Sequence, residues 1–266
     1  MSVPGLISGR PAAFVQAPVR AIAAIARVSR RLSRSSSLLS DALLDGRLGE
    51  RTPHACADRA AWLAENLCAI HGLHIERVGE LPRAPVVLVA NHVGYFDPMV
   101  LLSLLPAMPI AKRELGDWPV LGRSLAPLGV TLVRRGDPYD GARALRRAMA
   151  ALQAGVPVLV FPEGTTSHGD SVLPLRRGIF GIASRLGVPV VPVVLRYEGR
   201  GAAWVGSDWF LPHYARSLGR AELHVRVEFG EPIVAQQEPR AYARDVQRRM
   251  IAMLDHGAPA RVARAA

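Results

Sequence analysis

The sequence predicts an α/β domain: one largely parallel sheet sandwiched by helices, preceded by an N-terminal amphipathic helical segment. Two observations predict it. Short apolar runs such as "APVVLVAN" and "VPVVPV" read as strands covered on both faces. Longer stretches with apolar residues every three or four positions alternate with them, the order that builds a parallel sheet. The size fits, because 266 residues, half of them apolar, bury a large core and exclude wholesale disorder.

The first element is "VRAIAAIARVSRRLSR", residues 19–34. On a helical wheel Arg20, Arg27, Arg31 and Arg34 share one face, and Ile22, Ile25, Val28 and Leu32 share the other. Such a helix suits the headgroup boundary of an anionic membrane. The alternative is a helix that docks its apolar stripe on its own domain and solvates its charges. The serines of "SRSSSLLSD" then predict a break. A helix follows in "DRAAWLAENLCAIHG", with Asp58 near its start and Gly72 as its stop.

"HIERVG" and "APVVLVAN" are the next strands, and Asp97-Pro98 opens a helix through "MVLLSLL". The pattern repeats with strand "PIAKREL", helix "VLGRSLAPLG", strand "VTLVRR", helix "YDGARALRRAMAALQAG" and strand "PVLVFPEG". A helix at "RGIFGIASRLG", strands "PVVPVVLRYE" and "ELHVRVEFG", and the helix "EPRAYARDVQRRMIAML" complete the series. The expected organisation is a membrane-association segment over 1–45, an α/β domain over 46–256 and a basic tail over 257–266.

A formal net charge of +11 implies an anionic partner. A nucleic-acid role is disfavoured, because aromatics are only 6% of residues, none form a stacking series beside the basic stretches, and no familiar binding motif occurs. No secretory signal is expected. The longest apolar stretch, "MVLLSLLPAMPIA", is too short to span a bilayer and carries two prolines. Cys56 and Cys68 match no common zinc spacing and read as reduced thiols of a cytosolic compartment, so no metal site is expected.

In sheets of this kind ligands collect beyond the carboxyl ends of the strands. Three stretches carry polar groups there: "NHVGYFDP", "VRRGD" and "FPEGTTSHGD". His92 is the candidate general base, and it works better when a carboxylate fixes its tautomer. Asp97, five residues on, can fold back to do this, or can act as the N-cap of the helix opened by Pro98; both roles are compatible. Arg134 and Arg135 end a strand as two guanidinium groups suited to phosphate, or as a solvated pair. Glu163 follows a core strand and could orient polar groups of an acceptor, while Gly164 lets backbone approach a ligand.

Together "NHVGYFDP", "GVTLVRR", "FPEGTTS" and "VPVVPV" resemble the four ordered blocks of the lysophospholipid acyltransferase family, which includes the 1-acylglycerol-3-phosphate acyltransferases. The resemblance runs over about residues 70 to 235 and extends to "AKREL", with Lys112, in the linking segment. It implies a glycerolipid-acyltransferase-like fold and His92 as catalytic base with Asp97 as its charge partner. It further implies Arg135 near the acceptor's phosphate and Glu163 and Gly164 in the acceptor-binding block, with Arg134, Lys112 and Thr165 as further substrate-binding candidates. No cofactor is implied: acyl-CoA or acyl-carrier protein is the donor substrate, and no serine or cysteine nucleophile is needed.

The implied reaction moves an acyl group from a thioester to the free hydroxyl of a lysophospholipid, 1-acyl-sn-glycerol-3-phosphate giving phosphatidate. A peripheral or monotopic place on an anionic surface, the cytoplasmic face of the cytoplasmic membrane, goes with it. Three positions depart from the family pattern. Gly94 stands where many members carry serine, Leu132 where an aromatic is common, and Thr166 where "FPEGTRS" has arginine, with Arg176 and Arg177 as possible compensation. Bacterial acyltransferases that complete ornithine lipids also resemble the "FPEGTTS" variant, so lyso-ornithine lipid is the alternative acceptor. A non-catalytic membrane lipid-binding protein on the same scaffold is the alternative of a different class.

Overall fold

A computed structural model of the chain describes residues 12–256 apart from 84, 118–120, 135, 200–201, 207–208 and 235–237; for 12–20, 46–48 and 121 it describes the backbone alone. Arg135 and the tail 257–266 therefore lie outside the described residues, as does the side chain of Arg20.

Seven strands are described: β1 (Leu73–Val78), β2 (Val87–Ala90), β3 (Met108–Lys112), β4 (Thr131–Val133), β5 (Val158–Val160), β6 (Val190–Tyr197) and β7 (Leu223–Phe229). They form one sheet in the order β1-β7-β6-β2-β5-β3-β4. β6, β2, β5, β3 and β4 run parallel; β7 pairs antiparallel with β6 and parallel with β1. The sheet is thus largely parallel, as the alternating pattern predicts.

β2 shows why. Leu88 and Ala90 point into one core and Val87 and Val89 into the other, all four fully buried, so an unbroken apolar run is what a doubly covered strand requires. The first core is roofed by α2 (Pro53–His71) and α3 (Asp97–Leu104), the second by α5 (Pro138–Gln153), α6 (Gly178–Leu186) and α8 (Pro239–His256). The chain leaves β2 into α3 on one face and leaves its neighbour β5 into α6 on the other. Adjacent parallel strands whose connections part in this way open a crevice beyond their carboxyl ends.

α1 (Ala12–Leu48) differs from expectation in two respects. It runs unbroken through "SRSSSLLSD". Ser35 is buried there, Ala42 joins the first core, and Ser40 Oγ donates to the carbonyl of Ser36. Packing against α2, α4 (Leu121–Leu125) and α7 (Phe210–Gly219) outweighs the weak helix propensity of serine.

Part of its charged face, Arg27 and Arg31, is also turned inward, while Arg34 is exposed. Arg31 is buried and donates to the carbonyls of Leu218, Arg220 and Ala221, and Arg27 donates to that of Gly219. These are the unsatisfied carbonyls at the carboxyl end of α7, where a cation is favoured. Burial, then the charges of Arg27 and Arg30, lower the Arg31 pKa from its ordinary value. Ile22, Ile25 and Leu32 stay exposed. α7 itself has no counterpart in the sequence reading.

Candidate active site

The site begins with a clamp. Asn91, fully buried at the end of β2, donates through Nδ2 to the carbonyl of Leu195 at 3.1 Å and accepts the Leu195 N–H through Oδ1 at 2.8 Å. Its side chain thereby continues the β2–β6 ladder where the backbone turns away. The turn it anchors carries His92, half-buried, whose ring stacks on Phe161 just beyond β5 with centroids 4.3 Å apart.

His92 Nδ1 lies 2.7 Å from Asp97 Oδ2. The same oxygen accepts the N–H of Val93 at 2.6 Å and of Gly94 at 2.8 Å, and Asp97 Oδ1 accepts the hydroxyl of Tyr197 at 2.8 Å. Asp97 is completely buried. It is the first residue of α3, not its N-cap, which is Phe96 and makes no side-chain cap bond. The capping alternative therefore gives way: the carboxylate reaches back to the turn and the imidazole, not forward to the helix N–H groups. Because an ionised carboxylate only accepts, Nδ1 carries the ring proton and Nε2 keeps the lone pair.

Glu163 supports the same turn from β5. It is buried, accepting the N–H of His92 on Oε2 and of Leu173 on Oε1, each at 2.9 Å. Burial raises its pKa, against the lowering effect of those two bonds and of the His92 charge. Both oxygens are thus engaged with the chain's own backbone, whereas the sequence suggested a carboxylate offered to an acceptor.

Gly164 has φ 74°, and a Cβ there would meet the Arg176 guanidinium within 3 Å. The left-handed backbone favours glycine here, and the Arg176 guanidinium occupies the space a Cβ would take. Thr165 beside it is exposed. A Cβ on Gly94 would meet the Ala202 carbonyl at 2.9 Å, so a serine at this position needs a local shift.

The second predicted stretch stands apart. Arg134 follows β4, three strands from β2, which at about 4.8 Å per strand places it about 14 Å to the side. It is exposed, and its backbone N–H bonds Asp140. Lys112 ends β3, two strands from β2, at the same edge. Of the two candidate replacements for the missing arginine, Arg176 lies over Gly164, whereas Arg177 is the N-cap of α6 and lines a groove with Arg240 and Arg244 of α8. Cys56 and Cys68 are buried and free, and burial pushes the Cys68 thiol up to about 11.

Comparison with known proteins gives the family and the fold. The Acyltransferase family model matches residues 72–196. The chain is 34% identical over 212 residues to a protein of Pseudomonas aeruginosa named lyso-ornithine lipid O-acyltransferase, covering 77% of this chain and 81% of that one. The chain belongs to the lysophospholipid acyltransferase family. A chloroplastic 1-acyl-sn-glycerol-3-phosphate acyltransferase of Brassica napus is also similar, 34% identical over 155 residues, 57% of this chain and 45% of that one. The crystal structure of the 1-acyl-sn-glycerophosphate acyltransferase of Thermotoga maritima shares the fold. Its TM-score is 0.63 at 22% identity, over 90% of this chain and 99% of that one.

Within this O-acyltransferase, sequence reasoning missed Asn91 and Tyr197. Each is a polar side chain at the end of an apolar strand, β2 and β6, on the edge where His92 emerges. That shared position was the signal available.

Proposed function

We propose that the chain transfers a fatty acyl group from an acyl thioester to a lysolipid hydroxyl, with His92 as general base. The observation that carries this reading is the 2.7 Å contact between His92 Nδ1 and a fully buried Asp97 that has three further donors. His92 Nε2 takes the proton of the acceptor hydroxyl as its oxygen attacks the thioester carbon. Asp97 stabilises the imidazolium, which returns the proton to the departing thiolate as the tetrahedral intermediate collapses. The donor, acyl-CoA or acyl-carrier protein, is consumed as substrate.

Lyso-ornithine lipid is the acceptor this reading puts first. The relative so named is matched over 81% of its length, and Thr166 occupies the position where phosphate-acceptor members frequently carry arginine. Lysophosphatidate is second, supported by relatives named 1-acyl-sn-glycerol-3-phosphate acyltransferase. The test is acylation of both lysolipids by the purified chain, each with acyl-CoA and with acyl-carrier protein. Preference for lysophosphatidate reverses the order of acceptors. No ester product with either acceptor and either donor removes the acyltransferase reading of this site.

The partner surface in this reading is anionic lipid at the cytoplasmic face of the cytoplasmic membrane. The exposed row Ile22, Ile25 and Leu32 on α1 supports it, as do the exposed Trp209 and Leu211 at the start of α7. The exposed Arg30 borders that row on the side of Ile22. Apolar side chains beside arginines suit the headgroup boundary.

A further inference from the structure

We infer that Tyr197 is a positioning residue of the His92–Asp97 pair: its phenol holds the Asp97 carboxylate in the rotation that presents Oδ2 to the imidazole. The inference rests on His92 acting as the base. Three donors converge on Oδ2, namely the His92 ring and the N–H groups of Val93 and Gly94. Oδ1 lies on the other side of the carboxylate in a fully buried site, and the Tyr197 hydroxyl supplies its hydrogen bond at 2.8 Å. Without it a buried charged oxygen has no hydrogen-bond donor among the described residues. The carboxylate then relieves the deficit by rotating or by taking up a proton, and either change weakens the bond to Nδ1.

The phenol is well placed for a fixed donor. Tyr197 is the last residue of β6, and its backbone is locked opposite Val225 of β7. Its ring packs against the first core and against the Phe96 cluster at the start of α3. Leu195, two residues earlier on the same face of β6, is the residue that Asn91 clamps. One strand therefore grips the catalytic turn twice, at the Asn91 side chain through the Leu195 backbone and at the Asp97 carboxylate through the Tyr197 hydroxyl. Burial first, then the Asp97 charge, hold the phenol well above its ordinary 10. It stays protonated across the working range, and neither loses a proton nor relays one. Tyr197 thus acts on the reaction through Asp97.

The test compares Y197F with Y242F in the full chain. Tyr242 is an equally suitable hydroxyl to remove: it is buried, bonds the N–H of Val190 and the carbonyl of Ile233, and lies in the second core. For Y197F the expected result is a kcat lower by about 10- to 100-fold with KM within twofold. The Nδ1–H proton resonance of His92, read in chain carrying 15N-histidine, should shift or vanish. Y242F should lower the melting temperature while leaving kcat and that resonance in place.

Should Y197F melt below assay temperature, 3-fluorotyrosine at position 197 keeps the ring and strengthens the donor, and the His92 resonance should then move upfield. A kcat within twofold of the parent in folded Y197F overturns the inference, as does a His92 resonance unmoved by fluorination. So does an equal kcat loss in Y242F. Full turnover by H92A overturns instead the reading beneath it, and the two failures are read in separate variants.

Discussion

Asp97 concentrates the chemistry of the site in one side chain, because a single oxygen takes the imidazole and two backbone N–H groups. Asparagine in its place can keep those three donors on its amide oxygen and turn its N–H₂ to the Tyr197 hydroxyl, which must then accept and loses the acceptor of its own proton. Alternatively it turns its N–H₂ to Nδ1, which must surrender its proton and its tautomer. D97N is therefore expected to lower kcat by on the order of 10⁴, the size of the loss when the serine-protease aspartate is so replaced. Stability should fall with it by about 1–3 kcal/mol, since in either orientation a buried donor loses its acceptor. Rates and melting curves on one preparation check both; unchanged kcat would remove Asp97 from the mechanism. The pairing of His92 with Asp97 was legible because both sit in one eight-residue stretch at a strand end. Tyr197 and Glu163 were not legible in their roles. Their partners lie 100 and 71 residues away, and no local pattern reports such a distance.

Elements are legible where local pattern and tertiary packing agree, and α1 marks the limit. Its wheel of arginines and isoleucines is amphipathic. Yet the side that meets the domain includes Arg27 and Arg31 of the charged face and leaves Ile22, Ile25 and Leu32 exposed, because α7 ends in carbonyls that Arg31 and Arg27 satisfy. Nothing in residues 19–34 encodes α7. The same junction holds a pH-sensitive group. His71, at the end of α2, bonds the Leu67 carbonyl through Nδ1 and Tyr214 of α7 through Nε2, and its ring stands edge-on to Phe96. Burial, aided by the Arg31 charge, lowers its pKa from 6.5 to about 4 despite the bond to Leu67. The folded state thus prefers neutral imidazole. The contribution is fully present above pH 6.5 and is lost as pH falls through about 4, a change of about 3 kcal/mol. Thermal melts from pH 7.5 to 4 should show the parent losing stability in that window, and H71Q, a neutral side chain able to make both bonds, losing less. Identical slopes would contradict this.

At the scale of the molecule, the sheet order places the site. β2 and β5 are neighbours whose helices leave to opposite faces, so His92 and Glu163 emerge side by side while Arg134 is carried to the sheet edge. The alternation of apolar runs and helices foretold a largely parallel sheet. It could not foretell that β5 inserts between β2 and β3, or that β7 runs against β6, since neither is written in local periodicity. The outer surface leads to a separate expectation. I22S combined with I25S should weaken sedimentation with anionic phosphatidylglycerol vesicles by about tenfold, while turnover of a dispersed short-chain lysolipid stays at the parent level. Equal vesicle binding by the double variant would place lipid contact elsewhere.

All three scales meet in the imidazole of His92. The most direct measurement is thioester release by purified H92A, with a melting curve confirming the fold and vesicle sedimentation confirming lipid contact. Turnover should fall by at least the factor of about 10² to 10⁴ that a positioned base supplies, with fold and sedimentation at the parent level. A folded H92A that releases thiol at the parent rate would contradict the assignment of this base.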